Sequence, residues 1–127
     1  MFTIVNMYLL PQEVEVWYII PMVRKTLAKH FVKDHGYSYE KAGKILGVSK
    51  AAISQYMNNK RANKIKLSKE TEKEIKKAAD RIAEDHKTVI KEVQAILMHM
   101  RESKSSCNVC KQYNKDILEY CNADPEY

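Results

Sequence analysis

The sequence predicts an all-α protein, and three observations support this class. The chain has 127 residues, 45% of them hydrophobic, which suits one small domain or a small domain with an appendage. Proline occurs only at positions 11, 21 and 125, so no residue from 22 to 124 must break a helix. Apolar side chains recur at spacings of three and four residues along much of that stretch, which is the helical period.

Two short helices joined by a tight turn are predicted in the middle of the chain. Tyr39 to Leu46 and Lys50 to Asn58 have helix-forming compositions, and the three residues GVS separate them. Gly47 suits a turn that needs positive φ, and the Ser49 hydroxyl can cap the second helix. Gly43 is small where the two helices would cross, so the segment has the helix-turn-helix pattern. The apolar contacts that fix the crossing angle are expected from Ala42, Leu46, Val48, Ile53 and Tyr56 or Met57.

The segment resembles the helix-turn-helix of the phage-repressor (Cro and lambda repressor, Xre-type) family, because Gly43, Gly47 and Ile53 occupy that family's three diagnostic positions. The resemblance implies DNA binding, whereas an ordinary helical hairpin in a core is the alternative. Lys50 and Gln55 carry donors that can read guanine and adenine edges in the major groove. The family's positions that reach bases and nearby phosphates correspond here to Ser49, Lys50, Ala51, Ser54, Gln55 and Asn58.

The positive charge of the chain is concentrated around this motif. Residues 22–69 contain twelve Lys or Arg against two acids, a net charge of +10, so the rest of the chain carries −4 of the total +6. A local excess of that size beside a helix-turn-helix is typical of a polyanion site, although basic stretches are more often only solvated. Contacts to the phosphate backbone are expected from Lys44, Lys60, Arg61 and Lys64.

The N-terminal part of the chain is harder to assign. Residues 1–10 are apolar without a helical period and suit a short strand, a packing arm or a dimer-exchange segment. Residues 12–20 alternate like a strand in places, but Pro11 before them suits the first turn of a helix, so we predict a helix interrupted at Pro21. Trp17 and Tyr18 are expected in the core. A further helix from Met22 to His35 has a buried stripe formed by Val23, Leu27, Ala28 and Phe31.

A longer helical segment follows the basic loop of residues 58–67. Ser68 predicts its start, and apolar or ambivalent residues then repeat in steps of four and three, the spacing of a coiled-coil seam. We expect this repeat to pair two chains, while packing on the first domain is the alternative. Residues 83–88 could also divide the segment into two helices, with Thr88 capping the second. The repeat consists of Ile75, Ala79, Ile82, His86, Val89, Val93, Ile96 and Met100.

The only three cysteines lie near the C-terminus, at Cys107, Cys110 and Cys121. A Cys-x-x-Cys turn brings two sulfurs to one side, and an odd number of cysteines argues against a disulfide framework. Thiolates are the usual ligands of iron–sulfur clusters, and a [4Fe–4S] cluster could hold its fourth iron with a labile ligand. A zinc site and three reduced thiols without metal are the alternatives. Zinc would need a fourth ligand from a second subunit or from His99, Asp116 or Asp124.

From Glu13 to Cys121 the chain resembles a group of archaeal transcriptional regulators that combine such a helix-turn-helix with a C-terminal cysteine cluster. The shared parts are the segment before Pro21, the core KAGKILGVSKAAISQYMNNKRA and the closing cysteines. The resemblance implies an iron–sulfur cluster or another metal centre in the cysteine region. We therefore expect a homodimeric regulator that binds a palindromic operator in double-stranded DNA and responds to redox or iron status.

Two other function classes compete with this interpretation: a zinc-stabilised protein-bridging module, and a redox enzyme that uses the cysteines. We expect no enzyme, because the sequence has no phosphate-binding glycine loop or nucleophile–base arrangement. No apolar run approaches the length of a membrane span, and the N-terminus lacks the features of a signal peptide, so we expect a cytoplasmic protein. The predicted domains are a DNA-binding domain with its N-terminal segment (1–67), a dimerisation segment (68–103) and a cysteine tail (104–127).

Overall fold

All regular secondary structure in the described part of the protein is helical, which confirms the all-α class. The computed structural model describes residues 10–63, 65–107 and 109. A π-helical turn at Glu15–Ile19 joins the helices Pro11–Val14 and Ile20–Lys33, and a 3-10 turn at His86–Thr88 precedes the helix Val89–Glu102. The α-helices are α1 (Pro11–Val14), α2 (Ile20–Lys33), α3 (Tyr39–Leu46), α4 (Lys50–Met57), α5 (Lys69–Glu84) and α6 (Val89–Glu102).

The N-terminal segment is a helix with one irregular turn, as predicted for residues 12–20. Pro11 lies in the first turn of α1, and Oε1 of Glu13 accepts a hydrogen bond from the N–H of Leu10 at 3.0 Å. The helix is not interrupted at Pro21 as predicted: Pro21 lies in the first turn of α2, and the irregular turn is the π-helical one that ends at Ile19, directly before α2. Proline lacks the N–H that would bond to the preceding turn, so the wider i→i+5 turn is tolerated there.

Trp17 is half exposed, so the prediction that it anchors the core is wrong. A π-helical turn contains more residues than an α-helical one, and it therefore changes which side chains face inward. Val14 and Ile19, five residues apart, are the buried apolar side chains here, and Tyr18 packs against the core beside them. Residues 1–9 lie outside the described part, and so do their predicted roles as strand, arm or exchange segment.

Helix α2 lies at the centre of the fold and packs on α3, α4 and α5. Its buried stripe is the predicted one, since Val23, Leu27, Ala28 and Phe31 have no exposed surface. The helix begins at Ile20 rather than at Met22, because it continues directly from the π-helical turn. Burying four apolar side chains on one stripe is the usual source of stability for a surface helix of this length.

The predicted long helical repeat is divided into α5 and α6. Ser68 caps α5 as expected, with its Oγ accepting the Thr71 N–H at 3.1 Å. Asp85 then leaves the helical conformation, and its carboxylate accepts the N–H of Lys87 at 3.1 Å, which starts the 3-10 turn. Thr88 makes no side-chain cap for α6; its hydroxyl donates to the Asp85 carbonyl instead. The alternative of two helices is therefore the one adopted.

Most apolar residues of this repeat are buried inside one chain, which favours the alternative that the repeat packs on the first domain; pairing of two chains through it stays a prediction. Ile75, Ala79 and Ile82 have no exposed surface, and α5 packs against α2. Ile96 and Met100 of α6 are buried as well. These covered residues offer little surface to a partner, whereas Val89 and Val93 of the same repeat are only half-buried.

Two ion pairs hold α6 in place. Arg81 of α5 donates from Nε to Oε1 of Glu92 at 3.0 Å, and this hydrogen bond is the main reason that the pKa of Arg81 is raised. Arg101 near the end of α6 donates from Nε and Nη2 to the two carboxylate oxygens of Glu15, each at 2.8 Å. The second pair joins residues 86 positions apart, so it fixes the end of α6 against the N-terminal segment.

None of the described helices combines the length and the apolar character that crossing a membrane requires.

Candidate nucleic-acid interface

The interface predicted from the sequence is built on α3, α4 and the turn between them. The Oγ of Ser38 accepts the Lys41 N–H at 3.1 Å and begins α3. Gly47 ends α3 in the left-handed conformation at φ 74°, which a side chain would disfavour. The Oγ of Ser49 accepts the Ala52 N–H at 3.0 Å and begins α4. The predicted helix limits, glycine turn and serine cap are confirmed, except that α4 ends at Met57.

Gly43 allows α3 to approach the turn at a distance that no other residue permits. A Cβ atom at this position would lie 2.6 Å from the carbonyl oxygen of Val48, which belongs to the backbone and cannot rotate away. The same two residues are joined by a hydrogen bond from the Val48 N–H to the Gly43 carbonyl at 2.9 Å. The small residue predicted at the crossing therefore sets the direction in which α4 leaves the turn.

The inner face of α4 is anchored in the core. Ala52, Ile53 and Tyr56 are buried, and α4 packs on both α2 and α3. The remaining predicted contacts are confirmed too, because Ala42 and Leu46 belong to the core and Val48 and Met57 pack against it. A helix held on one side in this way presents its other side in a fixed orientation.

The outer face of α4 brings the predicted reading residues together. Ser54 is half buried, and its Oγ accepts a hydrogen bond from Nδ2 of Asn58 at 3.4 Å. Ser49 lies at the start of the same face, where its oxygen is engaged by the helix cap while its hydroxyl proton stays available to a phosphate. The fully exposed members of this set are Lys50, Ala51, Gln55 and Asn58.

The predicted phosphate contacts lie on α3 and in the loop after α4. Lys44 on α3 is exposed, and its Nζ lies 3.6 Å from Oε1 of Glu40, a surface pair that a phosphate can replace at little cost. Lys60 and Arg61 are exposed in the irregular loop after α4, where Asn59 has φ 56°. Lys64 lies outside the described residues. Three of the four predicted cations are therefore open to solvent.

A pocket next to the turn was not predicted from the sequence. It has a volume of about 340 Å³ and is lined by Trp17, Arg24, Val48 and Arg61, among others. The π-helical turn that exposes Trp17 leaves no periodic signal in the sequence, which is why this neighbour was missed. Arg24 could have been found, since it lies off the buried stripe of α2 and belongs to the basic segment.

Only one of the three cysteines, Cys107, lies among the described residues, and it is a partly buried free thiol. Cys110, Cys121, Asp116 and Asp124 lie outside them. Over residues 10–63, 65–107 and 109, no three His, Cys, Asp or Glu side chains form a metal-binding group. Nε2 of His99 is buried and makes no hydrogen bond in this part of the chain. A thiol and an unpaired ring nitrogen are both donors that zinc accepts, and a cluster accepts the thiolate.

The comparisons with known proteins found no match: no family model fits the sequence, and no curated protein or solved structure is significantly similar to this chain.

Proposed function

We propose that the protein is a sequence-specific DNA-binding transcriptional regulator that reads the major groove with the outer face of α4. The observation that carries this proposal is the combination of an anchored inner face with an exposed outer face that bears Lys50, Ala51 and Gln55. An α-helix fits the major groove of B-DNA, and lysine and glutamine can form hydrogen bonds with guanine and adenine edges there. The paired helices and glycine turn are the elements that a helix-turn-helix needs.

The charge distribution supports the same proposal. Residues 22–69 carry +10, and they include the exposed Lys44 on α3 and the exposed Lys60 and Arg61 in the loop after α4. Lysine and arginine that neutralise phosphates release counterions, so they supply affinity that depends on salt but not on base sequence. Base-edge contacts from α4 would then add the specificity.

Selection from a pool of random duplexes tests the proposal directly. We expect enrichment of one preferred sequence with two related half-sites. If no duplex is enriched while the protein remains folded, the alternative of a zinc-stabilised protein-bridging module is favoured, because that class needs no base reading.

Gln55→Ala is expected to relax specificity at one base pair, at a cost of about 1–3 kcal/mol for the preferred sequence. The glutamine side chain is exposed in the middle of α4, so its loss removes hydrogen bonds to a base without disturbing the core. Binding titrations against the preferred duplex and its single-base variants measure this effect.

Lys60→Ala provides the contrasting variant for that measurement. Because Lys60 is assigned to phosphate, its replacement should weaken all duplexes by the same factor and reduce the salt slope by about 1. Gln12→Ala, the same change at an exposed position of α1, should leave DNA binding unchanged. Unaltered base preference in the Gln55 variant would contradict the assignment of α4 to the major groove.

We infer that two copies act together, because one helix-turn-helix contacts few base pairs and dimers place two such helices about 34 Å apart. Most of the repeat of α5 and α6 is buried inside one chain, so we consider a surface that is more exposed. Ile90 and Met98 are 74% and 54% exposed and lie eight residues apart on the outward face of α6. Exposed apolar side chains on one helical face suit a contact with a second copy.

The double change Ile90→Asp and Met98→Asp is therefore expected to convert the dimer to a monomer in sedimentation experiments, because it places charge in the contact. Lys77→Asp, at an exposed position of α5, serves as the control and should leave the dimer intact. A dimer of unchanged stability in the double variant would assign the contact to a different surface.

We also propose that Cys107, Cys110 and Cys121 hold an iron–sulfur cluster, with structural zinc as the alternative. Cys107 is a free, partly buried thiol, and thiolates are the usual ligands of iron–sulfur clusters. When bound, a cluster supplies a group that responds to oxidants. Nε2 of His99 is buried and has no hydrogen-bond partner within the described residues. A histidine nitrogen of this kind could serve as the fourth ligand that zinc requires.

Protein purified without oxygen is expected to contain stoichiometric iron and sulfide, and Cys107→Ala to lose both. His99→Ala distinguishes the alternatives, because it should leave a three-cysteine cluster in place but reduce the affinity for zinc. Stoichiometric zinc without iron in the wild-type protein would contradict the cluster.

A further inference from the structure

A groove between α2 and α5 is lined by two rows of lysines that face each other. Its volume is about 600 Å³, which lies in the range of small-molecule sites. Among the described residues, the acids in its lining are Asp34 and Glu72. Oδ2 of Asp34 already forms a hydrogen bond with Nδ1 of His30 at 2.8 Å. Six positive and two negative side chains leave a formal charge of +4. The lysines are Lys25, Lys29 and Lys33 on α2 and Lys69, Lys73 and Lys76 on α5.

Lys25 distinguishes this groove from a solvated basic surface. The residue is only 5% exposed, although lysine is rarely buried without a partner. Its Nζ lies 3.5 Å from the carbonyl oxygen of Ala62, the outer limit for a hydrogen bond, so most of its three-donor capacity is unused within the described residues. Burial, with a smaller contribution from Lys29, lowers the pKa of Lys25. A buried cation among other cations is unfavourable unless an anion accompanies it.

We propose that this lysine groove binds a small molecule carrying several phosphate groups. The lysines in each row are three or four residues apart, which places their Cβ atoms about 5–6 Å from one another along each helix. That spacing suits a ligand with several linked anionic groups better than a ligand with one anionic group. The rounded backbone of a DNA duplex does not suit a concave site in which Lys25 is almost completely buried, so a small polyanion is favoured over DNA.

The groove is also connected to the loop that follows α4. Lys25 contacts the carbonyl of Ala62, and Ala62 has φ 58°, a conformation that alanine rarely adopts. A polyanion that draws the Lys25 ammonium away from this carbonyl would remove a contact that supports the loop bearing Lys60 and Arg61. Ligand binding in the groove would then change DNA affinity by shifting the population of loop conformations. This regulatory role rests on the proposed DNA-binding function, whereas the binding of the anion does not.

Calorimetric titration with inorganic tripolyphosphate at constant ionic strength tests the binding. We expect one tripolyphosphate to bind per chain. Lys25→Met keeps an unbranched side chain of similar length but removes its charge, so it should raise the dissociation constant at least about tenfold. Lys73→Met, at an exposed position on the opposite row, should weaken binding in the same direction without any effect on the core. Lys91→Met on α6 makes the same change of charge outside the groove and should leave binding within about twofold of wild type.

Three outcomes would overturn the proposal: no binding of tripolyphosphate, binding that Lys91→Met weakens as much as the groove variants do, or binding of several molecules per chain that Lys25→Met leaves unchanged. A fourth concerns DNA. If Lys73→Met, which lines the groove on α5, weakens a random-sequence duplex by the same factor as tripolyphosphate, the groove belongs to the DNA surface and is not a separate site. Calorimetry uses no DNA, so a failed proposal for DNA binding would leave the result with tripolyphosphate interpretable.

Discussion

Replacing Arg101 with methionine is expected to lower the free energy of unfolding by about 3 kcal/mol. Arg101 makes two hydrogen bonds of 2.8 Å to the carboxylate of Glu15, which is only 6% exposed. Removing one partner of a buried ion pair leaves the other charge without compensation, which costs about 3–5 kcal/mol. The lower end of that range applies because the Arg101 side chain is still 22% exposed to solvent.

A double-mutant cycle in urea separates this pair from ordinary packing. When Glu15→Met is combined with Arg101→Met, no unpaired charge remains buried. The double variant should therefore recover most of the stability that Arg101→Met alone loses. Lys44→Met is the matched control, since its exposed pair with Glu40 should contribute less than about 1 kcal/mol. If the two single changes simply add, the pair contributes no specific coupling, and the end of α6 is held by packing.

Gly43→Ala is expected to lower the free energy of unfolding by about 2 kcal/mol and to weaken DNA binding as well. The new Cβ would meet the Val48 carbonyl oxygen at 2.6 Å, and overpacking of this kind costs about 1–3 kcal/mol. Alanine is the better helix former by about 1 kcal/mol, which offsets part of the cost but not the clash. The helices must therefore separate, and the direction of α4 changes with them.

Gly47→Ala distinguishes a steric effect from a backbone effect. Nothing lies within 4 Å of a Cβ built at Gly47, so its cost of about 1–2 kcal/mol comes from the left-handed φ of 74° alone. We expect urea titrations to show a loss in both variants, but a change in base preference only for Gly43→Ala. A Gly43 variant that keeps wild-type stability and affinity would mean that the turn absorbs the extra atom without moving α4.

The parts of this protein that the sequence determined by itself are those with local causes. The end of α3 and the start of α4 follow from Gly47 and Ser49, because a left-handed turn and a serine cap act within three residues of themselves. The exposed face of α4 follows as well, since helical periodicity separates Lys50 and Gln55 from the buried Ile53. These inferences needed no knowledge of distant contacts.

Only the tertiary structure decided what the apolar stripes pack against. The repeat from Ile75 to Met100 has the spacing of a coiled coil, but a period shows only that one face is buried and not which surface covers it. Asp85 breaks the repeat, α5 packs on α2, and the seam becomes part of the chain's own core. The same packing brings two lysine rows, about forty residues apart in the chain, to one groove. No local pattern can predict such a pairing, because it depends on how α2 and α5 are placed by the whole core.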